Sequence, residues 1–309
     1  MNFIRRKLYR LLLRILKVDK DFLGRDRENF GTSAYSRRSP LLLTVLNLQE
    51  LSRFLSAPKL SIEMKRAIKS TKNSKIGKTA LLLGNGPSLN RLQIKNVLKD
   101  SPDIWVVNDF YKTEVAKHLQ VSFYVLSDAD HLNPLDLIGN SRFKPIIDKV
   151  NQDSAYLVLP NWIHTVIQKA KIENRVLFFD DRQLSAWTSN TSPDAARGYI
   201  GLTAYKALAY CIHLGYDAIY ILGMDSSEFQ LLASDEQNRL LLGGNYAYKD
   251  ESNSKDLSSH FLDGFAGAFM MYSHTSGDLE KFSGPVFNLD ASSFITRFPK
   301  VSDHHWVID

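Results

Sequence analysis

Cysteine is almost absent from this chain of 309 residues. The one cysteine, Cys211, lies in the apolar stretch Ala-Tyr-Cys-Ile, and no disulfide can form within the chain. This favours a reducing compartment such as the cytosol. A lone thiol inside an apolar run also predicts a buried core residue rather than a nucleophile.

Several patterns that carry well-defined chemistries are also missing. The sequence has no Gly-x-Ser-x-Gly elbow, no His-Glu-x-x-His pair and no Gly-x-x-x-x-Gly-Lys-Ser/Thr phosphate loop. No basic and aromatic pattern points to nucleic acid as a partner. Hydrophobic residues make up 44% and charged residues 23%, which is typical of a globular protein with a full core.

Acidic residues are absent from residues 1–18, where six basic residues oppose a leucine-rich face at helical spacing. This pattern predicts an amphipathic helix on an anionic membrane surface, too short and too charged to span a bilayer. We therefore expect a cytoplasmic protein, peripheral on an inner membrane. An amphipathic helix packed against the protein itself remains the alternative.

The rest of the chain divides into an extension and one catalytic domain. Residues 19–77 predict a linker and helical extension, with helices at 41–55 and 62–68. The run Ser-Thr-Lys-Asn-Ser-Lys-Ile-Gly-Lys at residues 70–78 is a polar boundary, and we expect the compact domain to occupy 78–309.

Short apolar runs alternate with helical segments throughout that domain. This alternation predicts an α/β fold, a Rossmann-like and mostly parallel sheet with helices on both faces, preceded by N-terminal helices. The predicted strands are 80–83, 104–108, 123–126, 155–159, 176–179, 218–222 and 286–289. The predicted helices are 88–98, 161–171, 203–214 and 261–274.

A glycine-rich turn follows the first predicted strand, at residues 84–89 (Gly-Asn-Gly-Pro-Ser-Leu). Gly84 and Gly86 permit positive φ and the close approach of a ligand, and Pro87 suits a first helical turn. A strand, such a turn and a helix would leave backbone N–H groups free, and α/β proteins capture phosphate at this place.

Small or polar residues also follow other predicted strands, where ligands of parallel sheets bind. The amides of Asn85 and Asn108 suit recognition of a base, ribose or phosphate, with turn capping as the alternative. Asp128 and Asp130 form an Asp-x-Asp pair that could hold a divalent metal on a diphosphate. Solvated loop carboxylates or a cap on the next helix explain the pair better, because neither the pair nor a nearby histidine completes a ligand set, and we expect no metal.

Two further residues are candidates for the chemistry. Thr203 is predicted to be the N-cap of helix 203–214, where exposed N–H groups favour a carboxylate or phosphate. A simple cap without a ligand is the other interpretation. His260 ends a polar run and precedes an apolar helix, so it is a candidate general base at the active edge of the sheet.

Taken together, these motifs resemble the bacterial lipooligosaccharide sialyltransferases of glycosyltransferase family 42. That family opens with a strand and Gly-Asn-Gly-Pro-Ser-Leu, as at residues 84–89, and its next strand ends in Asn-Gln-Phe-Tyr. Residues 108–111 here read Asn-Asp-Phe-Tyr. The family's later helix and Gly-Tyr-x-x-Ile-Tyr-x-x-Gly-Ile-Asp are matched by residues 203–225, ending in Gly-Met-Asp225. The resemblance covers roughly residues 79–295.

The resemblance implies a GT-A-like sialyltransferase variant that transfers an acidic sugar from a CMP donor with inversion, without metal or other cofactor. Gly84 and Gly86 would shape the phosphate turn with Ser88, and Asn85 and Asn108 would contact CMP. The remaining donor-binding positions implied are Ser127 with Asp128 after the third strand, Thr203 at the sugar carboxylate, and Asp225. His260 would deprotonate the acceptor hydroxyl.

The chain departs from the family directly after Asp225. The family continues with Phe-Tyr and uses a tyrosine pair there to steady the leaving phosphate, whereas this chain has serines at 226 and 227. The resemblance therefore implies that Tyr246 or Tyr248 takes over that role.

Two other families share some of these motifs, so the motifs alone do not identify a single reaction. Tyr-Val-Leu-Ser-Asp at residues 124–128 also resembles a strand end of a lipopolysaccharide-core Kdo transferase, another CMP-sugar enzyme. The motility-associated glycosyltransferases of domain-of-unknown-function family 115 share the Gly-x-Gly-Pro-Ser-Leu start, and their archaeal relatives are Mg²⁺-dependent pterin pyrophosphokinases. The leading hypothesis is transfer of sialic acid, Kdo or a similar sugar to a glycolipid or polysaccharide of the cell surface, and a homo-oligomer is left open.

Overall fold

The computed structural model describes most of the chain from residue 40 onward. The described residues are 40–133, 137, 139, 141–169, 175–185, 187–199, 202–227, 230, 232–234, 236–237, 240–243, 246–248, 254–256, 277–301 and 303–308. The predicted basic helix 1–18, the predicted helix 261–274 and His260 lie outside them.

Seven parallel strands form the central sheet. They are β1 (Thr79–Leu83), β2 (Asp103–Val107), β3 (Phe123–Val125), β4 (Tyr156–Pro160), β5 (Val176–Phe179), β6 (Ala218–Leu222) and β10 (Val286–Asn288). Their order across the sheet is β10-β6-β1-β2-β3-β4-β5, and every neighbouring pair is parallel. All seven predicted strands are confirmed, and with them the α/β fold class.

The order of the strands reverses beside β1. The chain runs outward from β1 to β5 on one side, then crosses back to place β6 and β10 on the other side. A parallel sheet opens a crevice at such a reversal, beyond the carboxyl ends of its strands. Residues directly after β1 and β6 are therefore in the position where ligands bind.

Alternate residues of each strand fill two separate cores. In β1, Leu81 and Leu83 face one core while Ala80 and Leu82 face the other, and all four are fully buried. Because both faces of the strand are covered, it reads in the sequence as a continuous apolar run. Cys211 lies in the second core and is fully buried, as predicted.

Helices cover both faces of the sheet. They are α1 (Pro40–Ser56), α2 (Ile62–Thr71), α3 (Ile94–Asp100), α4 (Phe143–Asp153), α5 (His164–Lys169) and α6 (Thr203–Leu214). Helices α3, α4 and α5 contribute to the first core and α6 to the second. The two N-terminal helices contact this body, since Glu50 of α1 accepts hydrogen bonds from Ser185 and the Ile68 side chain of α2 is buried.

Two predicted helices differ from the structure. The predicted helix 88–98 is a short 3₁₀ turn (Pro87–Arg91) followed by α3, and helix 161–171 begins as a 3₁₀ turn (Asn161–Ile163) that leads into α5. Helix α4 was not predicted. An antiparallel sheet of β7 (Leu232–Ser234), β8 (Leu240–Gly243) and β9 (Ser254–Asp256) was not predicted either. Within the described ranges, no helix has the length and apolar character needed to cross a membrane.

Candidate active site

A cavity of about 230 Å³ lies at the crevice beside β1. Its walls come from the turns after β1, β2 and β6 and from the start of α6. The lining residues are Gly84, Asn85, Gly86, Pro87, Val107, Asn108, Leu202, Thr203, Ala204, Tyr205, Gly223, Met224, Asp225, Ser226, Ser227 and Tyr246. A larger cavity of about 440 Å³ opens at the opposite edge of the sheet, among residues that precede β2, β3 and β4.

Most of the residues predicted for the site meet around this crevice. Gly84, Asn85, Gly86, Asn108, Thr203, Asp225 and Tyr246 line it. Ser88, Ser127 and Tyr248 do not line it but contact residues that do. Asp128 is not among the lining residues, and His260 lies outside the described ranges.

The glycine-rich turn is closed by the chain itself. The backbone amide of Gly84 donates to the carbonyl oxygen of Leu222 at 2.8 Å, and that of Gly86 donates to Gly223 at 2.8 Å. The Ser88 amide donates to Asp225 Oδ2 at 3.0 Å. The prediction that this turn offers free amides to a phosphate is therefore wrong for these three groups, because β6 and the loop after it accept their hydrogen bonds.

The two glycines of the turn are needed for their small size. Neither Gly84 nor Gly86 has positive φ, contrary to the prediction, and the left-handed glycine of the site is Gly223 (φ +72°). A Cβ on Gly84 would overlap the carbonyl oxygen of Gly223, and one on Gly86 would lie 2.8 Å from the carboxyl carbon of Asp225. The atoms that approach these two glycines so closely therefore belong to another segment of the same chain, not to a ligand.

Two buried amide oxygens lack a hydrogen-bond partner in the described part of the protein, and both belong to residues of the cavity wall. They are Oδ1 of Asn85 and Oδ1 of Asn108. The Nδ2 group of Asn85 donates to the carbonyl oxygen of Val107 at 3.2 Å, which fixes its orientation. Because an unpaired buried acceptor costs about 1–3 kcal/mol, these oxygens suit a ligand that donates hydrogen bonds.

Thr203 is the first residue of α6 and not its N-cap, so that prediction is wrong. Leu202 occupies the N-cap position, and no side chain caps the helix there. The Thr203 hydroxyl instead forms a 2.7 Å hydrogen bond with the Ser127 hydroxyl beyond the end of β3. This contact joins two of the predicted site residues, and no described side chain accepts from the first amides of α6, which lies with its N-terminus in the cavity wall.

Tyr246 and Tyr248 form a parallel stack beside the glycine-rich turn. Their ring centroids are 5.2 Å apart and their planes differ by 6°. The amide of Ala247, between them, donates to the Asn85 carbonyl oxygen at 2.8 Å. The segment that carries both tyrosines is therefore tied to the turn, with Tyr246 in the cavity wall and the Lys112 ammonium 5.3 Å from the Tyr248 ring centroid.

Asp225 is hydrogen-bonded to the glycine-rich turn. Its carboxylate accepts hydrogen bonds from both the amide and the hydroxyl of Ser88. Burial raises the pKa of Asp225 to about 6, the Ser88 hydrogen bonds oppose the shift, and the adjacent Asp290 carboxylate adds to it. Oδ1 of Asp290 accepts from Arg91 and Ser292, whereas its buried Oδ2 has no partner among the described residues.

This carboxyl pair makes the stability of the protein depend on pH. Because the pKa of Asp225 is raised in the folded state, the protein loses stability as the pH rises from about 4 to about 6. Over this range the folded state takes on the unfavourable buried charge. In Asp290→Asn, the amide would replace the unpaired Oδ2 and donate to Asp225. We expect the variant to gain about 1 kcal/mol at pH 8, measured as a rise in melting temperature.

The gain should shrink near about pH 5, where a protonated Asp225 can itself donate to Asp290. Asp148→Asn changes an exposed carboxyl on α4 and serves as the control, with no change expected at either pH. A gain of equal size at both pH values, or a loss at pH 8, would contradict the coupling of the two carboxyls.

The Asp128 and Asp130 pair adopts a local turn. Oδ1 of Asp128 accepts the Asp130 amide at 3.0 Å, and Asp130 is exposed with its carboxylate 3.7 Å from Arg142. Among the residues that the structure describes, no group of three or more histidine, cysteine, aspartate or glutamate side chains could hold a metal ion.

Two buried charge clusters near the site were not predicted. Lys206 and Arg197 both pair with Asp181, and burial lowers the pKa of Lys206 to about 8 although Asp181 opposes it. Burial would raise the pKa of Asp109, but hydrogen bonds from His131 and Lys112 hold it at about 2. Lys206 lies on α6, distant in sequence from Asp181, and His131 is 22 residues from Asp109, so no local pattern signals either cluster.

Comparisons with known proteins find similar folds only among solved structures. No protein-family model matches the sequence, and no curated protein matches it. The MAf glycosyltransferase from Magnetospirillum magneticum AMB-1 is 14% identical, with a TM-score of 0.43 over 86% of this chain. The match spans only 42% of that glycosyltransferase.

The sialyltransferase CstII from Campylobacter jejuni, solved with the substrate analogue CMP-3FNeuAc, is 13% identical with a TM-score of 0.41, over 75% of this chain and 89% of its own. A structure of CST-II with trisaccharide acceptor and CMP is 15% identical with a TM-score of 0.40, over 75% and 88%. A sialyltransferase, the class of enzyme that the motifs resemble, is thus among the similar structures. At this level of similarity, an activity has to be argued from the site residues of this chain and not from the similar structures.

Proposed function

We propose that this protein is a glycosyltransferase that transfers sialic acid, Kdo or a similar acidic sugar from a CMP donor, with inversion and without a metal. The acceptor is a glycolipid or polysaccharide of the cell surface. The observation that carries the proposal is the pair of unpaired amide oxygens, on Asn85 and Asn108, in the wall of one cavity at the reversal of strand order.

The nucleoside end of the donor would lie against these two oxygens. A cytidine offers hydrogen-bond donors in its exocyclic amine and its ribose hydroxyls, and each of them can satisfy an amide oxygen. The motif resemblance assigns the same two residues to CMP independently of the cavity. Two lines of argument, from motif and from geometry, therefore lead to the same pair of side chains.

The anionic end would lie at the start of α6. The amides of Gly84, Gly86 and Ser88 are engaged by the chain, so the first turn of α6, with its amides and positive end of the helix dipole, is the better site for negative charge. One of the joined hydroxyls of Thr203 and Ser127 donates to the other, so the pair leaves one donor for a phosphate or a sugar carboxylate. Tyr246, supported by Tyr248, would steady the leaving phosphate.

In the proposed reaction, the bond between the anomeric carbon and the phosphate oxygen breaks, and its electron pair leaves with CMP. The acceptor oxygen attacks the opposite face of the sugar, and its proton passes to His260. Donors at the phosphate stabilise the charge that develops on the leaving group. His260 has this role by resemblance and by its position in the sequence.

A thermal-shift panel of CMP, UDP, GDP and ATP, each with and without Mg²⁺, tests the proposed donor. We expect stabilisation by CMP that is indifferent to the metal, since a ligand at about 100 times its dissociation constant adds about 2.7 kcal/mol. Stabilisation by ATP only in the presence of Mg²⁺ would contradict the proposal. That outcome would favour a pyrophosphokinase, and loss of the ATP effect in Asp128→Ala would support it.

The membrane surface is proposed as the place where the acceptor is met. The basic and apolar faces of residues 1–18 are the sequence feature that supports it. Deleting residues 1–18 should release the protein from anionic liposomes in a sedimentation assay while leaving CMP binding intact. Equal sedimentation of the full chain and the truncated chain would contradict this part of the proposal.

A further inference from the structure

We infer that Tyr124 is a positioning residue for Asn108, acting through the backbone that presents the Asn108 amide to the cavity. Tyr124 lies on β3, outside the cavity wall, and neither its sequence context nor the motif resemblance assigns it a role. The inference rests on the proposed function, because it takes Asn108 as a residue that contacts the nucleotide.

The hydroxyl of Tyr124 connects two backbone groups of the turn after β2. It donates to the carbonyl oxygen of Asn108 at 2.6 Å and accepts from the amide of Tyr111 at 3.2 Å. The Tyr124 side chain is fully buried, so water does not compete for these bonds. One side-chain oxygen of β3 therefore holds both ends of the segment 108–111.

That segment needs such support because its first residue has an unfavourable backbone conformation. Asn108 has φ +48°, in the left-handed region that residues other than glycine seldom adopt. The Asn108 side chain leaves this backbone with its Oδ1 buried and without a partner in the described residues. A turn held in a sparsely populated conformation beside a ligand cavity relaxes when its support is removed.

The position of Asn85 depends on the same stretch of backbone. Its Nδ2 group donates to the carbonyl oxygen of Val107, the residue directly before Asn108. A shift of this turn would therefore move both amide oxygens that the proposed function uses. Tyr124 does not touch the ligand in this account, and it affects binding only through the turn.

The test is Tyr124→Phe, which removes one oxygen atom and keeps the ring in the core. We expect CMP to bind about tenfold more weakly by titration calorimetry, which corresponds to about 1.4 kcal/mol. Tyr216→Phe is the matched control. The Tyr216 hydroxyl is also buried, donates to Asp103 at 2.7 Å and accepts from Trp105 at 3.2 Å, but Asp103 and Trp105 belong to β2 rather than to the cavity wall.

Both variants lose one buried hydroxyl with two hydrogen bonds, so we expect similar losses of thermal stability. Only Tyr124→Phe should weaken CMP binding. If the two variants weaken CMP binding equally, or if neither does, Tyr124 is only a structural residue and the inference is overturned.

A double-mutant cycle tests whether Tyr124 acts through Asn108. In an Asn108→Gly background the Asn108 amide is already absent and only the effect on Asn85 remains, so adding Tyr124→Phe should weaken CMP binding by less than about threefold rather than tenfold. A second full tenfold loss would show that Tyr124 acts by another route, and would overturn the inference.

A measurement without ligand separates this inference from the proposed function. The side-chain amide signals of Asn108 and Asn85 in a ¹H–¹⁵N spectrum can be assigned by their loss in Asn108→Gly and Asn85→Ala. They should shift in Tyr124→Phe and stay in place in Tyr216→Phe. Unmoved signals in Tyr124→Phe would overturn the positioning role, whereas moved signals in a protein that does not bind CMP would overturn only the proposed function.

Discussion

Gly84→Ala should destabilise the protein by about 3 kcal/mol or more, although it adds only a single methyl group. The new Cβ would overlap the carbonyl oxygen of Gly223 and lie 2.7 Å from its carbonyl carbon. Both atoms belong to the backbone of Gly223, whose φ is +72°, so neither can be moved by a side-chain rotation. The turns after β1 and β6 would have to separate.

The melting temperature measures this effect, at roughly 2–4 °C per kcal/mol for a domain of 150–250 residues. Gly277→Ala is the matched control, because a Cβ at that position meets no atom within 4 Å. It should leave the melting temperature within about 2 °C of the parent. An unchanged melting temperature for Gly84→Ala would refute the chain-to-chain packing described for this turn.

Asn108→Gly should weaken CMP binding by about 10–100-fold without unfolding the protein. The substitution removes the side-chain amide of a residue in the cavity wall, and a hydrogen bond from a ligand to a desolvated partner is worth about 1–3 kcal/mol. Glycine adopts the left-handed backbone of this position without strain, so the loss reports the side chain. Calorimetric titration with CMP gives the affinity directly.

Asn73→Gly is the control for this substitution. Asn73 is also an asparagine with a left-handed backbone (φ 59°), but it is exposed and lies ahead of β1, away from the carboxyl ends of the strands. CMP should bind this variant as it binds the parent. Equal affinity of Asn108→Gly and the parent would remove Asn108 from the binding site.

The sheet was predictable from the sequence because most of its strands are buried on both faces. Each strand then appears as an uninterrupted apolar run between polar turns, and the seven predicted runs lie within about a residue of the observed strands. The position of the crevice was predictable for the same reason. In a parallel sheet the polar residues after β1, β2 and β6 must lie at one edge.

The details of the site were not predictable because contacts distant in sequence decide them. Ser88 was expected to begin a long helix, but its amide and hydroxyl bond to Asp225, 137 residues later, and the chain forms a short 3₁₀ turn there. Thr203 was expected to cap α6, but its hydroxyl bonds to Ser127. In both cases a residue with a strong local preference has a tertiary partner instead.

The role of the glycines illustrates the same limit. Their spacing indicated a turn open to phosphate, whereas the structure uses their small size for contact with Gly223 and Asp225. A glycine motif in a sequence reports that something approaches the backbone closely. Whether a ligand or another segment of the chain approaches is decided by the tertiary structure.

The release of CMP from CMP-sialic acid and CMP-Kdo, in the presence of EDTA, tests the central claim most directly. A transferase of the proposed kind should release CMP from at least one of these donors, slowly by hydrolysis and faster when a glycan acceptor is added. Asn108→Gly should lower the rate at low donor concentration, and EDTA should not change it. No CMP release from either donor by a protein that consumes ATP with Mg²⁺ would contradict the account.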